Sequence, residues 1–123
     1  MSHILLIEDN QANADMMIHI LTSAGYQVRH FIRGLEGVKD ARQNKPDLIL
    51  LDFNLPDVDG RTLALSMRKQ MGADCVPIVA CTARTGVAEM ALAKQFGCAA
   101  FLPKPFDSHD LLDVVASFLK TRT

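Results

Sequence analysis

The sequence of 123 residues has no tryptophan, a single tyrosine and no long hydrophobic segment. No window approaches the roughly 18 consecutive apolar residues of a membrane-spanning helix. A basic start followed by an apolar stretch, which would indicate a secretory leader, is also missing. We therefore expect a protein that is soluble, cytoplasmic and without a membrane partner.

An excess of charge of one sign is missing as well. Lysine and arginine total 13, aspartate and glutamate total 14, and the formal net charge is -1. Proteins that bind nucleic acid directly need a basic surface for phosphate contacts, so direct nucleic-acid binding is not expected. The glycine patterns of a Walker loop, a dinucleotide fingerprint and a nucleophile elbow do not occur, which leaves those enzyme classes without support.

Cysteine is scarce and shows no pairing pattern. Cys75, Cys81 and Cys98 are odd in number, have no Cys-x-x-Cys spacing and lie in apolar segments. We interpret them as reduced thiols of the core, which favours a reducing compartment. A chain of this length can bury about two thirds of its unfolded surface, so residues 1–123 are predicted to form one domain without disulfides.

Short apolar runs alternate with amphipathic segments five times along the chain. The predicted strands cover residues 3–7, 26–31, 48–51, 76–80 and 99–102, and the predicted helices cover about 11–24, a polar stretch up to 43, 60–71, 87–96 and a last segment capped by Asp107 or Ser108. Strict strand–helix alternation predicts right-handed crossovers and a parallel sheet with helices on both faces. The second run alternates in polarity like an edge strand. The predicted fold is therefore α/β, a flavodoxin-like (βα)5 with strand order 2-1-3-4-5, an order taken over from known folds rather than derived from spacing.

The ends and faces of the helices are predicted from caps and periodicity. Asn10 is predicted to cap the first helix and Gly25 to end it, with Gly72 and Gly97 closing the third and fourth. The apolar face of the first helix is predicted to consist of Ala12, Met16, Ile20 and Ala24, joined by Met17 and Leu21. Residues 55–60 are interpreted as turn and cap chemistry rather than a metal site.

Polar side chains stand at the ends of four of the five predicted strands. Glu8 and Asp9 follow the first strand, and Asp52 ends the third. Thr82 follows the fourth strand and Lys104 the fifth. Because the carboxyl ends of parallel strands meet at one rim, where open α/β sheets bind ligands, we expect these side chains to converge. Asp52, which follows the most apolar run, is the candidate reactive group.

Three carboxylates at one rim indicate a cation. Their mutual repulsion would raise their pKa values unless a positive charge compensates. All the candidate ligands are hard oxygens, which favours Mg²⁺. Asp9 and Asp52 are predicted to bind the metal directly and Glu8 through water, and the backbone carbonyl of Asn54 is the candidate third protein ligand.

A metal, an ammonium group and a hydroxyl around a carboxylate match the needs of phosphoryl transfer. Mg²⁺ and Lys104 would spread the charge on the equatorial oxygens while Asp52 attacks in line. The product would be an aspartyl phosphate. This mixed anhydride hydrolyses readily, so it would mark the protein for a limited time.

The chain resembles, over essentially its whole length, the receiver domain of two-component response regulators, including chemotaxis receivers. The matching positions are Glu8-Asp9, Asp52, Thr82 and Lys104-Pro105. The resemblance implies that Asp52 is the phosphoacceptor and that a histidine kinase or a histidine phosphotransfer protein is the donor. It implies that Lys104 contacts a phosphoryl oxygen and the Asp52 carboxylate, and that Thr82 and the Ala83 backbone N–H receive the other oxygens. A cis peptide bond before Pro105 is also implied.

The same resemblance implies a switch. Phe101 matches an aromatic residue that turns inward when Thr82 moves toward the phosphoryl group, which would change the face formed by helix 4, strand 5 and helix 5. Asn54 and Arg84 match positions that tune the access of water to the phosphate, an effect whose direction stays open. The run Glu8-Asp9-Asn10-x-x-Asn13 is similar to receivers of phosphorelays and hybrid kinases.

The resemblance implies a signalling switch that phosphorylates and dephosphorylates only itself, not a conventional enzyme. Its effect would pass through a downstream protein target, a fused output domain or phosphorylation-dependent dimerisation. Two alternatives stay open. One is a pseudo-receiver that keeps the fold as a binding module. The other is an aspartate-nucleophile phosphatase. That class carries an Asp-x-Asp motif on its first strand, whereas this chain has Asp52-Phe53-Asn54 on its third.

Overall fold

A computed structural model describes residues 2–55, 57–71, 76–82 and 87–119. The strands are His3–Ile7 (β1), Gln27–Phe31 (β2), Leu48–Asp52 (β3), Ile78–Thr82 (β4) and Ala100–Pro103 (β5). The helices are Gln11–Ser23 (α1), Gly34–Gln43 (α2), Gly60–Met71 (α3), Val87–Gln95 (α4) and Ser108–Phe118 (α5). The predicted helix end at Gly72 and the predictions for Cys75, Ala83 and Arg84 lie outside the described residues.

The five strands form one parallel sheet in the order β2-β1-β3-β4-β5, as predicted. All five residues of β3 are buried, whereas β2 at the edge is only partly covered. In the register of the sheet, Leu51 pairs with Ile7 of β1 and with Ala80 of β4. The next residue, Asp52, ends β3 and pairs with Cys81 of β4, one residue beyond the end of β1, so it lies at the carboxyl-terminal rim of the sheet.

Alternate residues of the central strands enter two separate cores. On one face, Leu5, Ile49 and Ile78 pack with buried side chains of α2, α3 and α4. On the other face, Leu6 and Leu50 pack with buried side chains of α1 and α5. Truncating a fully buried leucine to alanine costs about 2–5 kcal/mol, so these two layers hold the strand ends in place.

The predicted apolar face of α1 was partly wrong: Met17 and Leu21 are buried as predicted, but Ala12, Met16 and Ala24 are exposed. The buried residues of the helix are Ala14, Met17 and Leu21, whereas Met16 is 42% exposed. The reason is geometrical, because at about 100° per residue Met16 lies about 130° around the helix from the centre of the stripe formed by Ala14, Met17 and Leu21. Met16 instead borders a surface groove of about 360 Å³ beside Phe106.

The predicted helix ends and thiols were confirmed where the structure describes them. Asn10 caps α1 by accepting a hydrogen bond from the Asn13 backbone N–H (2.9 Å), and the helix gives way to Gly25 at a φ of 97°. Cys81 and Cys98 are buried and free, and burial raises the pKa of each thiol to about 12. Among the described residues, no helix is both long enough and apolar enough to cross a membrane.

Candidate functional site

Asp52 is the last residue of β3 and only 2% of its surface is exposed. The Asn54 backbone N–H donates a hydrogen bond to Asp52 Oδ1 (3.0 Å). Burial raises the pKa of the Asp52 carboxyl above its ordinary value; the Asn54 N–H lowers it, and the neighbouring Glu8 carboxylate raises it further. The central strand therefore carries a carboxylate that is costly to ionise.

Glu8 and Asp9 lie beside Asp52. One carboxylate oxygen from each of the three residues falls within 4.8 Å of the others. Glu8 is 1% exposed, and its Oε2 accepts a hydrogen bond from the Asn10 backbone N–H (3.2 Å). Asp9 is largely exposed. The pKa of its carboxyl is nevertheless raised, first by the loss of some hydration and then by its hydrogen bond to Asp52 and the charge of Asp52. The structure thus brings together the three predicted acids.

Lys104 reaches this cluster from the end of β5. Its Nζ lies 2.9 Å from Glu8 Oε1 and 3.5 Å from Asp52 Oδ1. Burial alone would lower the pKa of the ammonium, but the Glu8 hydrogen bond and the charge of Asp52 outweigh it, and the pKa is raised. The Lys104 backbone N–H donates to the carbonyl oxygen of Thr82 (2.7 Å), and the Lys104–Pro105 peptide bond is cis, as implied.

The cluster fits a divalent cation. With the three acids ionised and Lys104 protonated, three negative charges face one positive charge, and two of the acids are buried. The donor set consists of carboxylate oxygens, the chemistry that suits Mg²⁺. A second group of close ligand atoms, Asp107, His109 and Asp110, is exposed, and its two aspartates form the capping box of α5.

The remaining predicted residues differ in how deeply they are buried. Thr82 ends β4 and is buried, whereas Asn54 is exposed and forms an isolated bridge with Asp59. Phe101 is partly buried against the core that faces α2, α3 and α4. The predicted Ala83 N–H and Arg84 lie outside the described residues.

Two charged residues at this edge were missed by the sequence reasoning. Arg61 and Glu89 line a small gap of about 10 Å³ together with Asn54 and Thr82. Arg61 forms an ion pair with Asp59 (3.1 Å). This ion pair, and to a smaller extent the charge of Glu89, raises the pKa of the Arg61 guanidinium. No motif marks these residues, because their position depends on how α3 and α4 flank the sheet.

A buried aspartate at the tip of a central parallel strand, with two acids and a lysine around it, is an α/β site whose chemistry suits a divalent cation and phosphoryl transfer. The model of the response regulator receiver domain matches residues 4–116, and the chain belongs to this family. It is therefore a phosphorylation-dependent switch domain of two-component signalling. The family match favours neither the pseudo-receiver nor the phosphatase.

Similar proteins include complete small regulators and parts of larger ones. The chain is 39% identical over 91% of its length to the hybrid signal transduction histidine kinase G of Dictyostelium discoideum, but spans 3% of that protein. It is 28% identical to the polar-differentiation response regulator DivK of Brucella anthropi, over 94% of each chain. The receiver domain of the sensor histidine kinase PA1611 of Pseudomonas aeruginosa, solved with a magnesium ion in its active-site cleft, has a TM-score of 0.86 and 32% identity over 95% of this chain and 96% of that one.

Proposed function

We propose that Asp52 is the phosphoacceptor of this receiver and that Glu8, Asp9, Asp52 and the Asn54 carbonyl form its Mg²⁺ site. The observation that carries the proposal is the position of Asp52, buried at the tip of β3 with Lys104 Nζ 3.5 Å from its Oδ1. Glu8 already engages one oxygen with Lys104 and the other with the Asn10 N–H. This supports Asp9 and Asp52 as the direct ligands and Glu8 as a ligand through water.

In the proposed reaction, an ionised Asp52 oxygen attacks the phosphorus of the donor. The new bond joins that oxygen to phosphorus, and the bond from phosphorus to the donor's histidine nitrogen breaks, with the electron pair leaving on the nitrogen. Lys104 offsets the charge of the transferred group. Mg²⁺, when bound, neutralises negative charge on the phosphoryl oxygens and on the acids.

Hydrolysis reverses the modification when water attacks the phosphorus and restores the Asp52 carboxylate, releasing inorganic phosphate. In this proposal the domain catalyses only its own phosphorylation and dephosphorylation, unlike an enzyme that turns over a separate substrate. Asn54 is exposed and Arg61 lies on the same edge, so both can influence how water reaches the phosphate. Arg84 is proposed to act in the same step.

The proposed switch links Asp52 to β5. Thr82 is buried at the end of β4, and its carbonyl oxygen already accepts the Lys104 N–H. We propose that the Thr82 hydroxyl and the Ala83 N–H receive phosphoryl oxygens and that Phe101, which is partly buried beside Thr82's strand, turns inward in response. The surface formed by α4, β5 and α5 would then change its shape and bind different partner proteins.

The proposed partners are those of a two-component relay. A histidine kinase or a histidine phosphotransfer protein would donate the phosphoryl group, and a downstream protein, a fused output domain or a second phosphorylated copy would receive the signal. Residues 1–123 would act in this relay as one receiver domain in the cytoplasm. With a formal net charge of -1, direct contact with nucleic acid is not part of this proposal.

The proposal is tested by incubating the protein with acetyl phosphate, with and without Mg²⁺, followed by intact mass measurement and peptide mapping. A base-labile adduct should form only with Mg²⁺ and should map to Asp52. Asp52→Asn should abolish it. Asp47→Asn is the matched control, because Asp47 lies just before the opposite end of the same strand and accepts a hydrogen bond from the His3 N–H.

The outcomes separate the proposal from its rivals. A pseudo-receiver would remain unlabelled under all conditions. A phosphatase would hydrolyse many equivalents of a phosphate ester per chain. An adduct that maps to another carboxylate, or that forms equally well in EDTA, would contradict the assignment of Asp52 and of the acidic cluster.

A further inference from the structure

Helix α2 begins without a cap from its own sequence. Its N-cap residue is Arg33, whose side chain makes no capping hydrogen bond. The first N–H groups of a helix have no partner within the helix and need an acceptor from elsewhere. That acceptor is Asp57, whose Oδ1 receives the Gly34 N–H (2.9 Å) and whose Oδ2 receives the Leu35 N–H (3.1 Å).

Asp57 belongs to the loop that leaves the phosphoacceptor, residues 53–59 between β3 and α3. The base of this loop is closed by the Asn54–Asp59 bridge and by the Gly60 N–H, which donates to the Phe53 carbonyl oxygen (3.2 Å). Its far side is fixed by Asp57 to a helix that is more than 20 residues away in sequence. The loop therefore has an anchor at its base and a second anchor on α2.

Side-chain packing reinforces the second anchor. A Cβ placed on Gly34 would lie 2.7 Å from Val58 Cγ1 and 3.0 Å from Leu55 Cδ1. The two residues flank Asp57 closely in the same loop, so the first turn of α2 and the loop meet without room for a methyl group. A larger residue would force these side chains to shift, so glycine at this position favours the close approach and with it the two hydrogen bonds to Asp57.

The loop determines how the acceptor is presented. Its second residue, Asn54, donates the N–H that holds Asp52 Oδ1. A shift of the loop would break this bond or rotate the carboxylate, and displacement of a reacting group by about 1 Å can lower a rate about 100-fold. We propose that Asp57 is a positioning residue for phosphoryl transfer, which tethers the loop to α2 so that Asn54 aligns Asp52. This inference rests on the proposed function.

A merely structural role for Asp57, as a cap that stabilises α2, makes a different prediction. A cap can be supplied locally, because Arg33 has the extended backbone (φ -106°, ψ 139°) of a residue that caps with its own side chain. The substitution Arg33→Ser in an Asp57→Ala background restores an acceptor for the first turn of α2 without restoring the tether. The double variant therefore separates helix capping from loop positioning.

The test compares initial rates of Asp52 labelling by acetyl phosphate at saturating Mg²⁺, at a temperature where urea titration shows every variant to be folded. Asp57→Ala should label about tenfold to 100-fold more slowly, and Arg33→Ser should not restore the rate. The Asn54 amide resonance of ¹⁵N-labelled protein should shift in both variants. Asp57→Asn, which keeps one acceptor oxygen, should be intermediate and serves if Asp57→Ala does not fold.

Asp47→Ala is the matched control, since it removes another exposed carboxylate that accepts a distant backbone N–H, at the far end of β3. It should label at the wild-type rate. The inference is overturned if Asp57→Ala or Asp57→Asn also labels at the wild-type rate, or if Arg33→Ser restores the rate fully. Failure of the wild type to label would instead refute the proposed function, while the Gly34 and Leu35 amide shifts would still report the tether.

Discussion

Replacing Asp52, the proposed phosphoacceptor, should make the protein more stable. Asp52→Asn keeps the shape of the side chain and its acceptor for the Asn54 N–H, but it removes one of three negative charges that face a single lysine. Buried charges at functional sites commonly cost stability that a neutral replacement recovers. We therefore expect Asp52→Asn to raise the free energy of unfolding when no divalent cation is present.

The magnitude follows from the distances around Asp52. At an effective dielectric constant of about 20, the buried Glu8 carboxylate, with an oxygen within 4.8 Å, repels Asp52 by at least about 3.5 kcal/mol, and Lys104 at 3.5 Å attracts it by about 4.7 kcal/mol. The exposed Asp9 is screened by water and adds about 1 kcal/mol of repulsion. These contributions nearly cancel, so the desolvation of Asp52 decides the sign. We expect a gain of about 1–2 kcal/mol, or about 4–8 °C in Tm for a chain of this length.

The gain should depend on pH in a defined direction. Because the pKa of Asp52 is raised in the folded protein, the folded state binds this proton more tightly than the unfolded state does, and stability falls as pH rises from the ordinary carboxyl pKa through the raised one. Asp52→Asn lacks this loss. Its advantage should grow as pH rises above the ordinary carboxyl pKa and should vanish below about pH 4, where Asp52 is protonated in both states.

The assay is urea unfolding in EDTA, followed by circular dichroism because the chain has no tryptophan. Mg²⁺ at about 100 times its dissociation constant should stabilise the wild type by about 2.7 kcal/mol and the variant much less. Asp47→Asn should show no gain, because its carboxylate is exposed and lies before the amino-terminal end of β3, away from the acidic cluster. Equal or lower stability of Asp52→Asn at pH 7 in EDTA would refute the electrostatic reasoning.

Three further predictions test the fold around the site. Met17→Ala should cost about 2–5 kcal/mol of unfolding free energy and Met16→Ala less than about 0.5 kcal/mol, measured by urea titration, because only the first is buried. Gly60→Ala should cost at least about 3 kcal/mol in the same assay, since its Cβ would lie 2.4 Å from a backbone atom of the preceding loop. Cys81 and Cys98, with pKa values raised to about 12, should remain protonated and unalkylated by iodoacetamide at pH 8 until urea unfolds the protein, as followed by peptide mapping.

The parallel sheet and the converging site residues could be predicted because they depend on patterns within short segments, whereas the order of the strands was taken over from known folds. The four consecutive aliphatics of β3 indicate a strand covered on both faces, and alternation of strands with helices places all strand ends at one rim. Asp52 and Lys104 then meet although they are 52 residues apart in sequence. The topology carries this information, so no side-chain detail was needed.

Contacts between helices and loops could not be predicted in this way. The buried face of α1 depends on how the helix is rotated against the sheet, and its sequence has apolar residues on several sides. The contact of Asp57 with α2 depends on the path of a loop, and the sequence around residues 55–60 indicates only a turn. Arg61 and Glu89 lie beside Asn54 and Thr82 because of the way in which α3 and α4 pack against the sheet, which the sequence does not indicate. Periodicity therefore predicts where single helices and strands lie. It does not predict how two of them are rotated against each other when they pack.

The position of Lys104 explains how a charge change at Asp52 can reach distant surfaces. Its Nζ lies closer to Glu8 (2.9 Å) than to Asp52 (3.5 Å). In the proposed function, phosphorylation makes the acceptor side more negative, so the attraction on Lys104 shifts from Glu8 toward Asp52 and its phosphoryl group. The Lys104 backbone is bonded to the Thr82 carbonyl and leads directly into α5. A displacement of this one residue therefore acts on the ends of β4, β5 and α5 together, which is the mechanical requirement for a switch at that face.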